Sequence, residues 1–186
     1  MKIMTRIMTH IKQHKQFCDL YNRGMPDCSL IKNGIFIGNA YSVIGNYATK
    51  EDSFLEELNI KVVISALTEE EYDDYMIAKE DFPNIDWHRL VIDDDESERI
   101  SDHFFKVHSI ISKAVTDNKN IIVHCAAGMS RSASLVIAYL MIENRWSYEE
   151  TYNFVKNKRP IVDPNIGFVK QLKGLEFKLK SYTKLE

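Results

Sequence analysis

Cys125-Ala126-Ala127-Gly128-Met129-Ser130-Arg131 puts a thiol and a guanidinium at the two ends of a short loop. The five residues between them are enough to carry the backbone once around a tetrahedral oxyanion. Successive N–H groups of such a loop can converge on phosphoryl oxygens as a nest. Gly128, in the middle, can take the positive φ that other residues resist. Ala126 and Ala127 add no competing side chain, while Met129 and Ser130 complete the ring. Arg131 supplies a planar fork that grips two oxygens at once. The Cys125 sulfur would then sit under the phosphorus. Amides, helix dipole and guanidinium all favour its thiolate, which is the nucleophilic form.

The elements around this loop must aim it. Ile121-Ile122-Val123 is short and β-branched, as a buried strand should be. After the loop, Leu135, Val136, Ala138, Tyr139, Leu140 and Ile142 mark a helix, which Ser130 or a neighbour can cap. A strand, a tight loop and a helix start in that order bring unpartnered N–H groups and a positive dipole end to one place. A phosphate would satisfy both.

The run His124-Cys125-Ala126-Ala127-Gly128-Met129-Ser130-Arg131-Ser132-Ala133-Ser134 resembles the signature of the cysteine-dependent protein tyrosine phosphatases, and within them the atypical dual-specificity phosphatases. Ile35-Phe36-Ile37-Gly38-Asn39-Ala40, Ala138-Tyr139-Leu140-Met141, Arg159-Pro160 and Pro164-Asn165-Ile166-Gly167-Phe168 are similar to that branch as well. The resemblance extends from about Leu30 to about Leu179. It implies hydrolysis of phosphotyrosine and phosphoserine/threonine through a cysteinyl-phosphate, without a metal or other cofactor. A phosphate ester leaves poorly without a proton donor, and any of Asp93, Asp94 and Asp95, on a loop after a strand, could supply one. Measured back from Ile100-Ser101 and Phe104, the resemblance selects Asp94. It also gives His124 and Asn165 supporting roles at the loop. Ser132 could hydrogen-bond the departing thiolate. Arg159 could contact a second phosphate or an acidic substrate residue, or make a surface salt bridge.

The remaining chain fits one α/β domain of 186 residues, 45% hydrophobic and 27% charged. Asn33-Gly34 turns a first pair of strands; strands at Lys61–Ala66 and Asp86–Ile92 alternate with helices near Lys50–Leu58 and Ile100–Thr116. The expectation is a mostly parallel central sheet of about five strands flanked by helices, with an additional N-terminal helix. The loop would lie at the carboxyl end of a central strand, where such sheets bind ligands. Glu69-Glu70-Glu71 with Asp73-Asp74 reads as a solvated helix face, or else as a contact for basic residues near a substrate's phosphosite. Ser147 with Glu150 forms a capping box for a later helix, and a last helix reaches about Tyr182.

The expected domains are an amphipathic N-terminal extension over 1–26, a catalytic domain over 27–182 and a tail over 183–186. The extension is read as a helix folded on the domain, a dimerisation or substrate-docking arm, or a mitochondrial presequence poor in Ser. No separate kinase-docking domain is expected. A net charge of −3 argues against general nucleic-acid binding, and no apolar run reaches the roughly 18 residues of a membrane span. Cys18, Cys28 and Cys125 make no metal spacing or paired framework, which fits a reducing cytoplasmic or nuclear compartment. Whether Cys18 or Cys28 could protect Cys125 as a disulfide stays open. The expected partner is a phosphoprotein, a kinase among the candidates. Phosphoinositides or RNA 5′-ends are the alternative substrates, disfavoured because the loop interior has no added cation. A phosphate-binding scaffold without catalysis is the alternative of a different class.

Overall fold

The computed structural model describes residues 28–44, 54–75 and 82–182. The N-terminal helix, its dimerisation reading and Cys18 lie outside the described residues, as does the tail. Strands β1 (Cys28–Lys32) and β2 (Ile35–Gly38) form the expected antiparallel hairpin, turned by Asn33 at φ 47° and Gly34 at φ 75°. Short helices α1 (Tyr41–Ile44) and α2 (Phe54–Glu57) precede β3 (Ile60–Leu67), α3 (Glu69–Tyr75) and β4 (Asp86–Val91). A 3₁₀ turn (Ile100–His103) leads into α4 (Phe104–Thr116). Then come β5 (Asn120–His124), α5 (Arg131–Asn144), α6 (Tyr148–Lys158) and α7 (Ile166–Tyr182).

The five strands form one sheet in the order β1-β2-β5-β3-β4, parallel except for the β1–β2 hairpin. β5 is therefore central, and its strand end delivers Cys125 to the carboxyl edge of the sheet. Burial on both faces explains the unbroken apolar run at Ile121-Ile122-Val123. Ile121 and Val123 join the large core on the side that also holds Val107, Leu135 and Phe168. Ile122 faces the smaller cluster of Phe36, Val43, Leu55, Ile60 and Val63. The two-residue period of a strand makes that division. α5 is buried along almost its whole length, from Arg131 to Met141, so its position relative to β5 is fixed by packing on all sides.

Ser147 caps α6 as its sequence predicts, accepting the Glu150 N–H at 3.2 Å. Ser130 occupies the N-cap position of α5, but its hydroxyl makes no capping bond. It donates instead to Asp94 Oδ1 at 2.7 Å. A capping hydroxyl would occupy an N–H group at the helix start; here those groups stay available to an anion.

Candidate active site

The loop from Cys125 to Ser130 is held from outside by its carbonyl groups. The Ala126 carbonyl accepts the Ala40 N–H at 3.1 Å and the Met129 carbonyl accepts the Asp163 N–H at 3.0 Å. The Gly128 carbonyl accepts Arg159 Nε at 2.8 Å. With these carbonyls turned outward, the loop amides turn inward; the Gly128 N–H approaches Cys125 Sγ at 3.3 Å. Gly128 has φ +67°, and a Cβ there would come within 2.6 Å of both the Gly38 carbonyl oxygen and Arg159 Nη2. Glycine is required at this point for conformation and for space.

Cys125 is a buried free thiol, with Ser132 Oγ 3.3 Å from its sulfur. Behind it, His124 is fully enclosed, with Nε2 2.7 Å from Ser65 Oγ. Burial, and then the charge of Arg131, push its pKa down to about 3, so the imidazole is neutral. A neutral histidine holds the strand end without contributing a second charge to the site.

Arg131 is 4% exposed, and its donors divide into two sets. Nη1 bonds Glu71 Oε2 at 2.6 Å and the Ile92 carbonyl at 3.2 Å, while Nη2 bonds Glu71 Oε1 at 3.1 Å. Three of the five N–H groups thus position the side chain. Nε–H is left without a hydrogen-bond partner. In the planar guanidinium, the second Nη2 hydrogen lies on the same edge as Nε–H. That edge is a free two-pronged donor of the kind that grips two oxygens of a phosphoryl group. Burial opposes the charge on Arg131, but the hydrogen-bonded Glu71 carboxylate outweighs it, and the group stays protonated.

Asp94 stands on the same side. Its Oδ1 accepts Ser130 Oγ at 2.7 Å and Asn165 Nδ2 at 2.8 Å, and its Oδ2 lies 3.8 Å from Arg131 Nε. Asn165 further donates its backbone N–H to Ser130 Oγ at 3.1 Å and caps α7 by accepting the Phe168 N–H at 2.9 Å. Gln171 ties the rest of this acidic loop to α7, donating to the Glu98 carbonyl at 2.7 Å and accepting the Ser101 N–H at 2.9 Å. Gly167 packs directly on the Glu96 carbonyl, so the loop rests on the start of that helix.

Contacts join Cys125 to Ser132, and Asp94 to Ser130, Asn165 and Arg131, around one loop, while His124 lies behind Cys125 against Ser65. Two expectations are corrected. Arg159 is neither a substrate contact nor a surface ion pair: it is 1% exposed, with Nε on the Gly128 carbonyl and Nη1 3.2 Å from Ser29 Oγ. It is an internal strut for the loop. The triplet Glu69-Glu70-Glu71 is not uniformly solvated, because Glu71 turns inward to hold Arg131 and is 8% exposed. Its local signature was in the sequence. Thr68 and Glu71 form a reciprocal capping box, the Thr68 N–H bonding Glu71 Oε2 at 2.8 Å and the Glu71 N–H bonding Thr68 Oγ1 at 3.1 Å.

Residues 43–178 match the family model described as dual specificity phosphatase, catalytic domain. Over 173 residues the chain is 34% identical to protein phosphatase Slingshot homolog 1 of Mus musculus, covering 90% of this chain and 15% of that protein. It is 42% identical over 106 residues to dual specificity protein phosphatase 16 of Homo sapiens, covering 56% of this chain and 16% of the relative. The PTP-2 phosphatase of Cydia pomonella superposes with a TM-score of 0.69 at 27% identity, over 81% of this chain and 90% of that one. Its first curated relatives are longer than the aligned segments: the chain spans at most 63% of their length.

Proposed function

The chain belongs to the dual specificity phosphatase family, and on that premise we propose that it is a protein phosphatase acting on phosphotyrosine and phosphoserine/threonine. The observation that carries this reading is the Nε edge of Arg131, which the bonds to Glu71 and Ile92 leave without a hydrogen bond at the end of the loop, beside Asp94. A dianionic phosphate ester bound there has its equatorial oxygens on the amides and the guanidinium, with phosphorus above Cys125. The thiolate attacks in line, and the phosphorus–oxygen bond to the leaving group breaks as the sulfur–phosphorus bond forms. Asp94 Oδ1 is already occupied by two donors, so Oδ2 is the oxygen that carries the proton to the leaving alkoxide or phenoxide.

The cysteinyl-phosphate is hydrolysed in a second step. Asp94, now ionised, takes a proton from water; water oxygen bonds to phosphorus, and the sulfur leaves as thiolate. Ser132 Oγ, at 3.3 Å, donates to that departing charge. The position of His124 in the strand end, neutral and away from bulk water, supports a structural role rather than proton transfer.

Acid quenching during turnover of a radiolabelled phosphopeptide tests the reading. Label is expected on Cys125 by peptide mapping, and none on the Cys125→Ser protein, whose turnover falls by at least roughly 10⁴-fold. Label on any other residue, or full turnover by Cys125→Ser, overturns it. Phosphate release by the intact protein also separates it from a non-catalytic scaffold.

A further inference from the structure

Resting on that reading, we propose that the site selects peptides carrying one phosphate with Lys or Arg beside the phosphorylated residue. The anion subsite holds one phosphate. The guanidinium donors that serve it are those on the Nε edge of Arg131, a buried side chain whose Nε makes no hydrogen bond and lies 3.8 Å from Asp94 Oδ2. The second guanidinium at the loop, Arg159, faces away onto the Gly128 carbonyl and Ser29. The loop interior, Ala126 to Ser130, adds no cation. Nothing among the described loop residues draws a second phosphate.

The rim has the opposite sign. Asp93, Asp95 and Glu96 flank Asp94 and are exposed, and none has a cationic partner among the described residues. Asp95 is held by Ser97, through the hydroxyl and then the N–H at 2.8 Å, which keep its carboxyl below the usual range and therefore charged. Glu70 is exposed on α3, one residue before the Glu71 that grips Arg131. The cations nearest in sequence to Asp93, Asp95 and Glu96 are already engaged, Arg89 with Glu69 and Arg99 with Asp102. A peptide whose phosphate enters the loop must lay its neighbouring side chains along this rim. Basic side chains there meet uncompensated carboxylates; acidic ones, or the further phosphates of a polyanion, meet like charge.

The test uses the full chain, 4-nitrophenyl phosphate as a substrate without flanks, and three phosphotyrosine peptides whose flanks are Lys/Arg, Ala or Glu. Vesicles containing a phosphoinositide form a further arm. The basic peptide is expected to exceed the alanine peptide in kcat/KM by about five- to tenfold, the sum of a few exposed pairs. The glutamate peptide and the vesicles should fall below the alanine peptide, and the spread should shrink as salt rises and screening shortens. Glu70→Gln combined with Glu96→Gln should reduce the preference to about twofold while leaving 4-nitrophenyl phosphate turnover unchanged. Equal kcat/KM for the three peptides, a preference for vesicles, or a preference that survives the double substitution overturns this inference alone. Failure to turn over any of the substrates overturns the phosphatase reading beneath it.

Discussion

Arg131 and Arg159 are both buried guanidiniums in contact with the same loop, at 4% and 1% exposure. Arg159 reaches the loop from its carbonyl side, placing Nε on the outward-facing oxygen of Gly128. Arg131 ends the loop on the amide side, and Glu71 and Ile92 fix it while leaving one edge of its fork unspent. Burial therefore does not separate an arginine that binds substrate from one that holds the fold. The direction in which the donors point does. A guanidinium pointed at carbonyl groups is structural; one pointed where amides converge is an anion site.

Substitution should split the two roles. Arg131→Lys keeps a positive charge beside Glu71 but replaces the fork with a point donor. The expected outcome is a loss of about 10³-fold in kcat/KM for a phosphotyrosine peptide. Circular dichroism should stay native. A loss below tenfold would remove the distinction between the two arginines. The acid beside Arg131 is expected to matter next. Asp94→Asn retains the hydrogen bond at Oδ1 yet cannot release a proton, so phosphotyrosine turnover should fall about 10²-fold. 4-Nitrophenyl phosphate, whose leaving group needs little protonation, should lose much less. Equal losses for both substrates would move the donor to Asp93 or Asp95.

Arg159→Met is the complementary experiment. It fills similar space but leaves the Gly128 carbonyl and Ser29 without their donor, a cost of about 2 kcal/mol in denaturant unfolding. Its kcat/KM should drop less than tenfold, and the ratio of doubly to singly phosphorylated peptide turnover should not move. A change in that ratio would return Arg159 to the substrate side.

The sequence makes one of these arginines far easier to interpret than the other. Cys125, Gly128 and Arg131 declare themselves because their spacing is local, a strand, a glycine and a helix start within a few residues, even though the bonds that aim Arg131 come from Glu71 and Ile92. The hairpin at Asn33-Gly34 and the central strand Ile121-Ile122-Val123 are legible for the same reason. Arg159 is opaque because its partner is a backbone carbonyl 31 residues away, which any residue type could supply. Glu71 is masked by its neighbours: three consecutive acids suggest water, and its partner lies 60 residues downstream. Thr68 was the local clue, since a capping box turns the glutamate at its third position back toward the helix start. Ser130 was legible as a helix N-cap, but its bond to Asp94 crosses 36 residues and displaces the capping bond.

The charge on Arg131 also reaches the core, and pH exposes it. Its field joins burial in holding His124 neutral down to about pH 3, against an ordinary value of 6.5. Between those two values the unfolded chain binds a proton that the folded chain refuses. His124 therefore contributes its full stability above about pH 6.5 and loses it progressively as pH falls toward 3. The slope approaches roughly 1 kcal/mol per pH unit once the unfolded histidine is protonated. Denaturant unfolding at about pH 7 and pH 5.5, above the range in which most carboxylates titrate, isolates it. The wild-type chain should lose roughly 1 kcal/mol over that interval, and His124→Gln, which can still bond Ser65, should lose measurably less. Identical pH responses would mean that the imidazole carries no proton penalty, and that the influence of Arg131 ends at the loop.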